Sequence, residues 1–240
     1  MDKIKFFFNK DHRIFMTLLH VLTWLLSIIT LITFIAILID CNHNSSLTYP
    51  SSVGINTFLL AHENFYKLYG ANITLIIAYI AIKQYLHSNT MQILDFYYEK
   101  LVPTAHETIN YAKDKLSKKM TSDNLIQYLK NNENINFTNE ELKNLEPKLY
   151  TDLLELHKTD LEFQTKTTLT LGYFESFSIK LTRGLVNYKL IEEATSKSFC
   201  VQVRELYPLF SLTRKENDTL YFKTVVYLFN KWKSVLNTTN

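Results

Sequence analysis

The chain has 240 residues, a formal net charge of +3 at pH 7 and a mean hydropathy of −0.07. Lysines outnumber arginines 22 to 4. A charge this small with so few arginines argues against nucleic-acid binding, which needs a concentrated basic surface and favours bidentate arginine contacts. The four glycines are too widely spaced to build a phosphate-binding loop.

The first feature along the chain is an apolar segment near the amino terminus. Residues 14–39 contain no Asp, Glu, Lys or Arg over 26 positions. As one α-helix they span about 39 Å, against about 30 Å of bilayer hydrocarbon. The run is too long for a signal peptide and ends in Asp40 rather than in small residues. It predicts a transmembrane helix.

A second, shorter apolar segment occupies residues 68–82. Flanking aromatic and lysine side chains serve as interface anchors and extend the predicted membrane helix to about residues 65–83: Phe65, Tyr66, Lys83 and Tyr85. Lys and Arg precede the first segment and follow the second, so the positive-inside rule places both termini in the cytoplasm. We expect residues 1–90 to form a two-helix membrane hairpin and residues 91–240 a cytosolic helical domain.

Each predicted membrane helix carries a pattern of small or polar residues. The first has a polar stripe at 3-4-3 spacing, within about 80° of arc: His20, Thr23, Ser27 and Thr30. The second has a strip of small residues four positions apart: Gly70, Thr74 and Ala78. Two interpretations remain open. Either these surfaces hold a hairpin or dimer together, or several hairpins assemble with the polar stripe lining a water path.

The second membrane helix is expected to continue as a stalk. Apolar residues near helical a/d spacing extend to Leu101, and Pro103 is expected to end the helix. Amphipathic patterns predict further helices at residues 105–120 and 123–130. The lysines of the former are interpreted as a solvated face, with attraction to anionic lipid headgroups as the alternative. Thr138 and Glu141 form a capping box, and Pro147 interrupts or restarts the helix that it opens.

The carboxy-terminal part predicts three aromatic-rich helices. The first leads from Leu153 to Arg183, where Gly184 ends it. The second covers residues 188–206 behind an Asn187 cap, and the third covers residues 220–236 behind an Asp218 cap. The third helix presents one apolar face: Tyr221, Val225, Leu228 and Trp232. We expect four large aromatic residues of this region to fill a bundle core: Phe174, Tyr207, Phe210 and Trp232. Because helices are predicted throughout the chain, the predicted fold class is all-α.

The same region carries an ordered series of short patterns: Tyr173-Phe174-Glu175, Arg183-Gly184-Leu185-Val186, Val203-Arg204-Glu205-Leu206-Tyr207-Pro208-Leu209, Arg214 and Tyr221. This order resembles the carboxy-terminal half of a bacterial family that pairs one or two membrane helices with a cytosolic helical domain. It is similar to two-transmembrane phage-defence effectors, including retron-associated ones. It departs at Glu205, where such sequences often carry Trp. The resemblance implies a bacterial inner-membrane protein of abortive-infection defence and supplies no catalytic residues.

The remaining polar residues form no recognisable catalytic or metal-binding pattern. His157 and Asp160 share a helix face, but no second ligand-bearing segment is identifiable, and Cys200 is interpreted as a small buried hydrophobe. We expect no cofactor, no metal and no enzymatic activity. Four charged residues of the cytosolic domain are predicted to be structural or partner-facing, with an ion pair between the first and the third: Glu175, Arg183, Arg204 and Arg214.

Two functions are favoured by these patterns, and a third, a membrane-bound hydrolase or nuclease, lacks any convincing catalytic triad, metal set or phosphate-binding loop. In the first, the cytosolic bundle senses a protein partner or an infection signal, and the hairpin, present in several copies, perturbs the inner membrane. In the alternative, the hairpin only tethers a helical scaffold or protein-binding module and forms no pore. The expected partners are the lipid bilayer, other copies of the chain and a defence-system protein, with no direct binding of nucleic acid.

Overall fold

A computed structural model describes residues 17–35, 39, 52–117, 119–132, 134–214 and 221–237, excepting the side chains of residues 52–62, 64 and 65. Helices contain 89% of these residues, and none of them lies in a strand. The predicted all-α class is therefore confirmed. The chain divides into two compact units, Met1–Tyr85 and Leu86–Asn240.

The first unit contains a helix, α1 (Thr17–Ile35), whose surface is apolar and exposed. Its mean hydropathy is 2.3 over 19 residues. Leu18, Trp24 and Leu31 are each about 60% exposed. Within the described residues, α1 is the one helix long and apolar enough to cross a membrane. Positions 14–16 and 36–38 of the predicted segment lie outside those residues.

The second predicted membrane segment lies inside a much longer helix. This helix, α2 (Ser52–Phe96), has 45 residues and is about 68 Å long. It begins at Ser52, well before the predicted start at about residue 65. It also continues past Lys83 without a break, as the spacing of apolar residues indicated. That residues 65–83 cross the bilayer beside α1 stays a prediction.

Pro103 does not end the helical path, contrary to expectation. The chain forms a π-helical turn over Tyr97–Leu101 and then continues as α3 (Val102–Leu116), with Pro103 in its first turn. In that turn the Val102 N–H donates to the Tyr97 carbonyl, five residues earlier. Proline lacks an N–H and clashes with the carbonyl four residues before it, and the wider turn accommodates both effects. Residues 86–116 therefore form one helical rod. The rod ends at Ser117, where φ is 51°, before the predicted end at residue 120.

The longest helix of the second unit lies antiparallel along this rod. Asp160 separates α6 (Pro147–Thr159) from α7 (Leu161–Arg183), because its carboxylate accepts the Phe163 N–H at 2.9 Å and caps α7. The predicted helix from Leu153 to Arg183 is thus two helices. As the residue numbers along α7 and its flanks increase, those of their partners on the rod decrease: Asp160 contacts Tyr111, Thr170 contacts Thr108, Phe177 contacts Tyr97, and Asn187 contacts Thr90.

Gly184 follows α7 for a steric reason. Its φ is −79°, so the position does not require the left-handed conformation. A Cβ there would lie 2.3 Å from the Lys180 carbonyl oxygen, which no side chain tolerates. The glycine therefore lets the chain pass close to the last turn of α7.

Shorter helices complete the bundle, and several predicted caps are confirmed. Thr138 and Glu141 form the capping box, Asn187 caps α8 through the Leu190 N–H, and Pro147 lies in the first turn of α6. The predicted cap Asp218 lies outside the described residues. The remaining elements are α4 (Asp123–Asn131), α5 (Asn139–Leu145), α8 (Tyr188–Glu205), α9 (Tyr207–Thr213), α10 (Lys223–Trp232) and a 3-10 turn (Lys233–Asn237).

The core is aromatic, as expected. Phe174, Tyr207, Phe210 and Trp232 are all at most 1% exposed. Tyr221 was expected beside them but is 61% exposed. It precedes α10, which begins only at Lys223, so the helical periodicity that placed Tyr221 in the core does not apply to it.

A non-helical segment between α4 and α5 also enters the core. Ile135 and Phe137 are fully buried, although a run of polar residues precedes them. The Asn230 side chain accepts the Ile135 N–H at 3.2 Å and donates to the Ile135 carbonyl at 3.0 Å. These bonds satisfy a buried backbone unit that has no helical partner.

Charged residues join the start of α7 to the end of α3. Asp160 accepts hydrogen bonds from Tyr111 at 3.0 Å and lies 3.0 Å from the Lys115 ammonium. The Phe163 N–H, and then Lys115, lower the pKa of Asp160 from its ordinary value of 3.8 to about 2.

We expect Asp160→Asn to destabilise the protein at pH 7, since asparagine keeps the cap but loses the charge. Because the folded-state pKa of Asp160 is lowered, its contribution is complete above about pH 4 and is lost as the pH falls to about 2. Thermal unfolding in detergent, followed by circular dichroism, should show a difference in melting temperature that disappears over this range. Asp114→Asn, on the exposed side of α3, should show no such loss. A constant difference from pH 7 to pH 2 for Asp160→Asn would contradict the assignment.

Candidate functional site

A polar contact joins the two helices of the first unit. The Asn72 side chain lies 3.3 Å from the Ser27 hydroxyl, and its amide nitrogen lies 3.5 Å from the Thr30 hydroxyl. Asn72 and Thr30 are 7% and 8% exposed, whereas most of the apolar side chains described on α1 are exposed. Two of the four residues of the predicted polar stripe therefore face a polar residue of α2.

Hydroxyl groups along α1 are satisfied within the helix. Each donates to the carbonyl four residues earlier at 2.7–2.8 Å: Thr23, Ser27, Thr30 and Thr33. Such bonds allow a helix to carry hydroxyls in a medium that offers no water. The oxygens of Ser27 and Thr30 keep lone pairs that can still accept a bond from Asn72.

Pair contacts show that α1 and α2 are antiparallel. Ser27 meets Asn72, and the His20 ring lies 5.6 Å from the Tyr79 ring, centroid to centroid. His20 remains exposed at the edge of this contact. The less exposed residues of α2 recur at spacings of three and four, which is the periodicity of a helix seam: Leu68, Asn72, Leu75, Tyr79 and Ile82.

The strip of small residues on α2 lies mostly outside this seam. Gly70 and Thr74 are exposed, and Ala78 is half-buried beside the seam residue Tyr79. A Cβ on Gly70 would meet no atom within 4 Å. The polar stripe of α1 therefore does not pack against Gly70 and Thr74, because α1 lies on the face of α2 that carries Asn72.

The four charged residues predicted for the second unit lie on α7, on α8 and directly after α9. The Glu175 carboxylate accepts a hydrogen bond from Thr224 of α10 at 3.0 Å, and Arg204 is half-buried on α8. The ion pair expected between Glu175 and Arg204 stays a prediction. Arg183 is exposed at the end of α7. Arg214 is 4% exposed and donates to the Asn136 carbonyl, so it supports the non-helical segment between α4 and α5.

In the described part of the chain, the side chains that could bind a metal or act as a nucleophile are not brought together in one site. No group of three or more His, Cys, Asp or Glu residues is placed there to hold a metal ion. His157 lies against the Phe163 ring, while Asp160 caps α7. Burial raises the pKa of the Cys200 thiol to about 12, which keeps it protonated and unreactive at neutral pH.

Searches among protein-family models, curated proteins and solved structures give no match to this chain. The family resemblance of the carboxy-terminal patterns therefore stays a prediction. The residue of this site that the sequence patterns did not identify is Asn72. An asparagine inside the apolar run 68–82 is itself a signal, since such a residue needs a partner in hydrocarbon.

We expect the Ser27 and Asn72 side chains to contribute jointly to the stability of the helix pair. In a double-mutant cycle of Ser27→Ala and Asn72→Ala, the coupling should be about 0.6 kcal/mol and at most about 1.7 kcal/mol, the range of hydrogen bonds between membrane helices. Reversible unfolding in mixed micelles containing sodium dodecyl sulfate measures it. Thr33→Ala is the matched control, because the Thr33 hydroxyl donates to carbonyls of its own helix. Additive effects of the two substitutions would rule out a direct interaction.

Proposed function

We propose that this chain is an inner-membrane effector of bacterial anti-phage defence, in which a partner acting on the cytosolic helical unit changes the packing of α1 against α2 and so perturbs the membrane. The observation that carries the proposal is the contact of Asn72 with Ser27 and Thr30. The defence context is supported by the resemblance of the carboxy-terminal patterns alone.

The surroundings of this contact favour a bilayer. The apolar residues of α1 are exposed, whereas the core helix of a water-soluble protein buries them. On α2 the exposed side is also rich in isoleucine, including Ile73, Ile77 and Ile80. In the proposed arrangement both helices cross the membrane, and both termini lie in the cytoplasm.

The polar contact is suited to rearrangement rather than to permanent anchoring. Distances of 3.3 and 3.5 Å are at the long end for hydrogen bonds, so separating these groups costs little. Polar side chains inside a membrane are costly and are often functional. If Asn72, Ser27 and Thr30 turn away from each other, they need new partners, which another copy of the chain or water would supply.

The continuity of α2 supports a route for the signal. This helix carries Asn72 and also Ile93, which is buried in the core of the second unit. In the proposal, a rotation or shift of its cytosolic part passes along the backbone hydrogen bonds of α2 towards Asn72. The proposed partner binds the second unit, and oligomers form through the membrane helices.

Expression in bacteria with the activating partner should depolarise the inner membrane, as measured with a potential-sensitive dye. Asn72→Leu should reduce the depolarisation strongly, because it removes the polar group that the rearranged helices expose. Thr33→Val is the control that keeps helix length and apolar character. A normal membrane potential during activation would eliminate the effector proposal.

Gly70→Leu tests oligomerisation within the same assay. The added side chain enters open space within one chain, so it should leave the α1–α2 seam intact while blocking close approach of a second copy. Loss of depolarisation together with loss of chemical crosslinking between chains is the result consistent with the proposal.

A membrane-tethered scaffold is the second candidate. It is favoured by the complete aromatic core that the unit Leu86–Asn240 has of its own, which requires no contribution from the anchor. We expect a scaffold to keep its cellular phenotype when residues 1–83 are replaced by an unrelated two-helix anchor. An effector should lose the phenotype in the same exchange. Immunoblotting and protease resistance of the cytosolic unit verify that the exchanged protein is folded.

A further inference from the structure

The turn between α7 and α8 brings exposed apolar and cationic side chains together. We define residues 180–190 as the α7–α8 corner. Leu185 and Leu190 are 47% and 39% exposed. Three exposed cations belong to the corner: Lys180, Arg183 and Lys189. A fourth, Lys231 of α10, lies 4.1 Å above the Tyr188 ring. We propose that this corner docks on the headgroup layer of an anionic lipid bilayer.

Hydrogen bonds attach the corner to a particular place on α2. The Asn89 side chain donates to the Leu185 carbonyl at 3.3 Å, and the Thr90 hydroxyl accepts the Asn187 N–H at 2.9 Å. Asn89 follows Ile82, where the apolar segment ends, by only seven residues of α2. A corner attached to Asn89 is therefore close along the chain to the proposed membrane segment.

The charge of the corner matches an anionic surface. Glu192 and Glu193 follow the corner on α8, and the ion pair between Lys189 and Glu193 is 3.6 Å long and well exposed. Such a pair contributes little in water and yields readily to a phosphate. Cations close to an anionic leaflet are attracted within a Debye length, and leucines beside them add apolar contact with the interface.

The lysines of α3 do not fit this role. Lys115 lies 3.0 Å from Asp160, and Lys113 lies 3.9 Å from Glu205. Lys115 is also about 40 Å further along the rod than Asn89. Attraction to anionic lipid headgroups, which the sequence suggested as an alternative for the lysines at residues 105–120, is therefore better assigned to the α7–α8 corner.

The corner is also ordered before it meets lipid. Its backbone is bonded to Asn89 and Thr90, and Lys180 lies 4.6 Å above the Phe96 ring. A fixed corner loses little conformational entropy on docking, whereas a flexible loop pays for ordering at that step. The inference rests on the proposed insertion of α1 and is independent of any leakage of the membrane.

Fluorescence quenching in nanodiscs measures the docking directly. The full-length chain, with Cys41→Ser, carries an environment-sensitive dye at Leu185→Cys and is reconstituted in phosphatidylcholine with or without phosphatidylglycerol. A lipid with a spin label on its headgroup acts as quencher. Leu169→Cys is the matched control, because Leu169 is also 47% exposed and lies on α7 about 24 Å from Leu185. Leu25→Cys on α1 reports insertion.

With the headgroup-labelled lipid, we expect quenching at position 185 in anionic nanodiscs and none at position 169. With a tail-labelled lipid, we expect quenching at position 25 in both neutral and anionic nanodiscs. Arg183→Gln should lower the ratio of docked to undocked corner about fivefold, the effect of one cation near an anionic leaflet. Quenching at position 25 without quenching at position 185 would overturn the docking while leaving insertion intact. Equal quenching at 185 in neutral and anionic nanodiscs would overturn the recognition of anionic lipid.

Discussion

The antiparallel contact between α7 and the helical rod of residues 86–116 holds the second unit together. Polar contacts mark its two ends, Asp160 with Lys115 and Asn187 with Thr90. Between these ends lies buried aromatic packing, including Tyr97 against Phe177. α10 also packs on α7, through the bond of Thr224 to Glu175. Because residues 86–96 of α2 begin the rod, the same contact makes the end of α2 part of the core of the second unit.

Features that depend on neighbouring residues in the chain were readable from the sequence. The capping box at Thr138, the Asn187 cap and the start of α6 at Pro147 are set within one helical turn. The apolar length of α1 is equally local. The core aromatics were also predictable, since a large ring in a helical pattern has few alternatives to burial.

Features that depend on a partner far away in the sequence were not readable. Glu175 bonds to Thr224, 49 residues away on α10, because helix neighbours are chosen by the whole bundle. Ile135 and Phe137 are buried after a polar run because Asn230, 95 residues from Ile135, supplies hydrogen bonds to their segment. Asn72 is similar in the first unit: its place in an apolar run signals that it needs a partner, but the identity of the partner is visible only when α1 is placed beside it.

The π turn at Tyr97–Leu101 sets the rotational phase of the rod. Buried residues recur at every fourth position across it: Ile93, Tyr97, Leu101, Ala105 and Ile109. In an ideal α-helix each step of four residues advances the buried face by about 40°, so the stripe would wind away from a straight neighbour. A turn holding more residues per revolution reverses part of that drift. Proline, usually a helix breaker, here accompanies the correction that keeps one long helix facing α7 along its whole length.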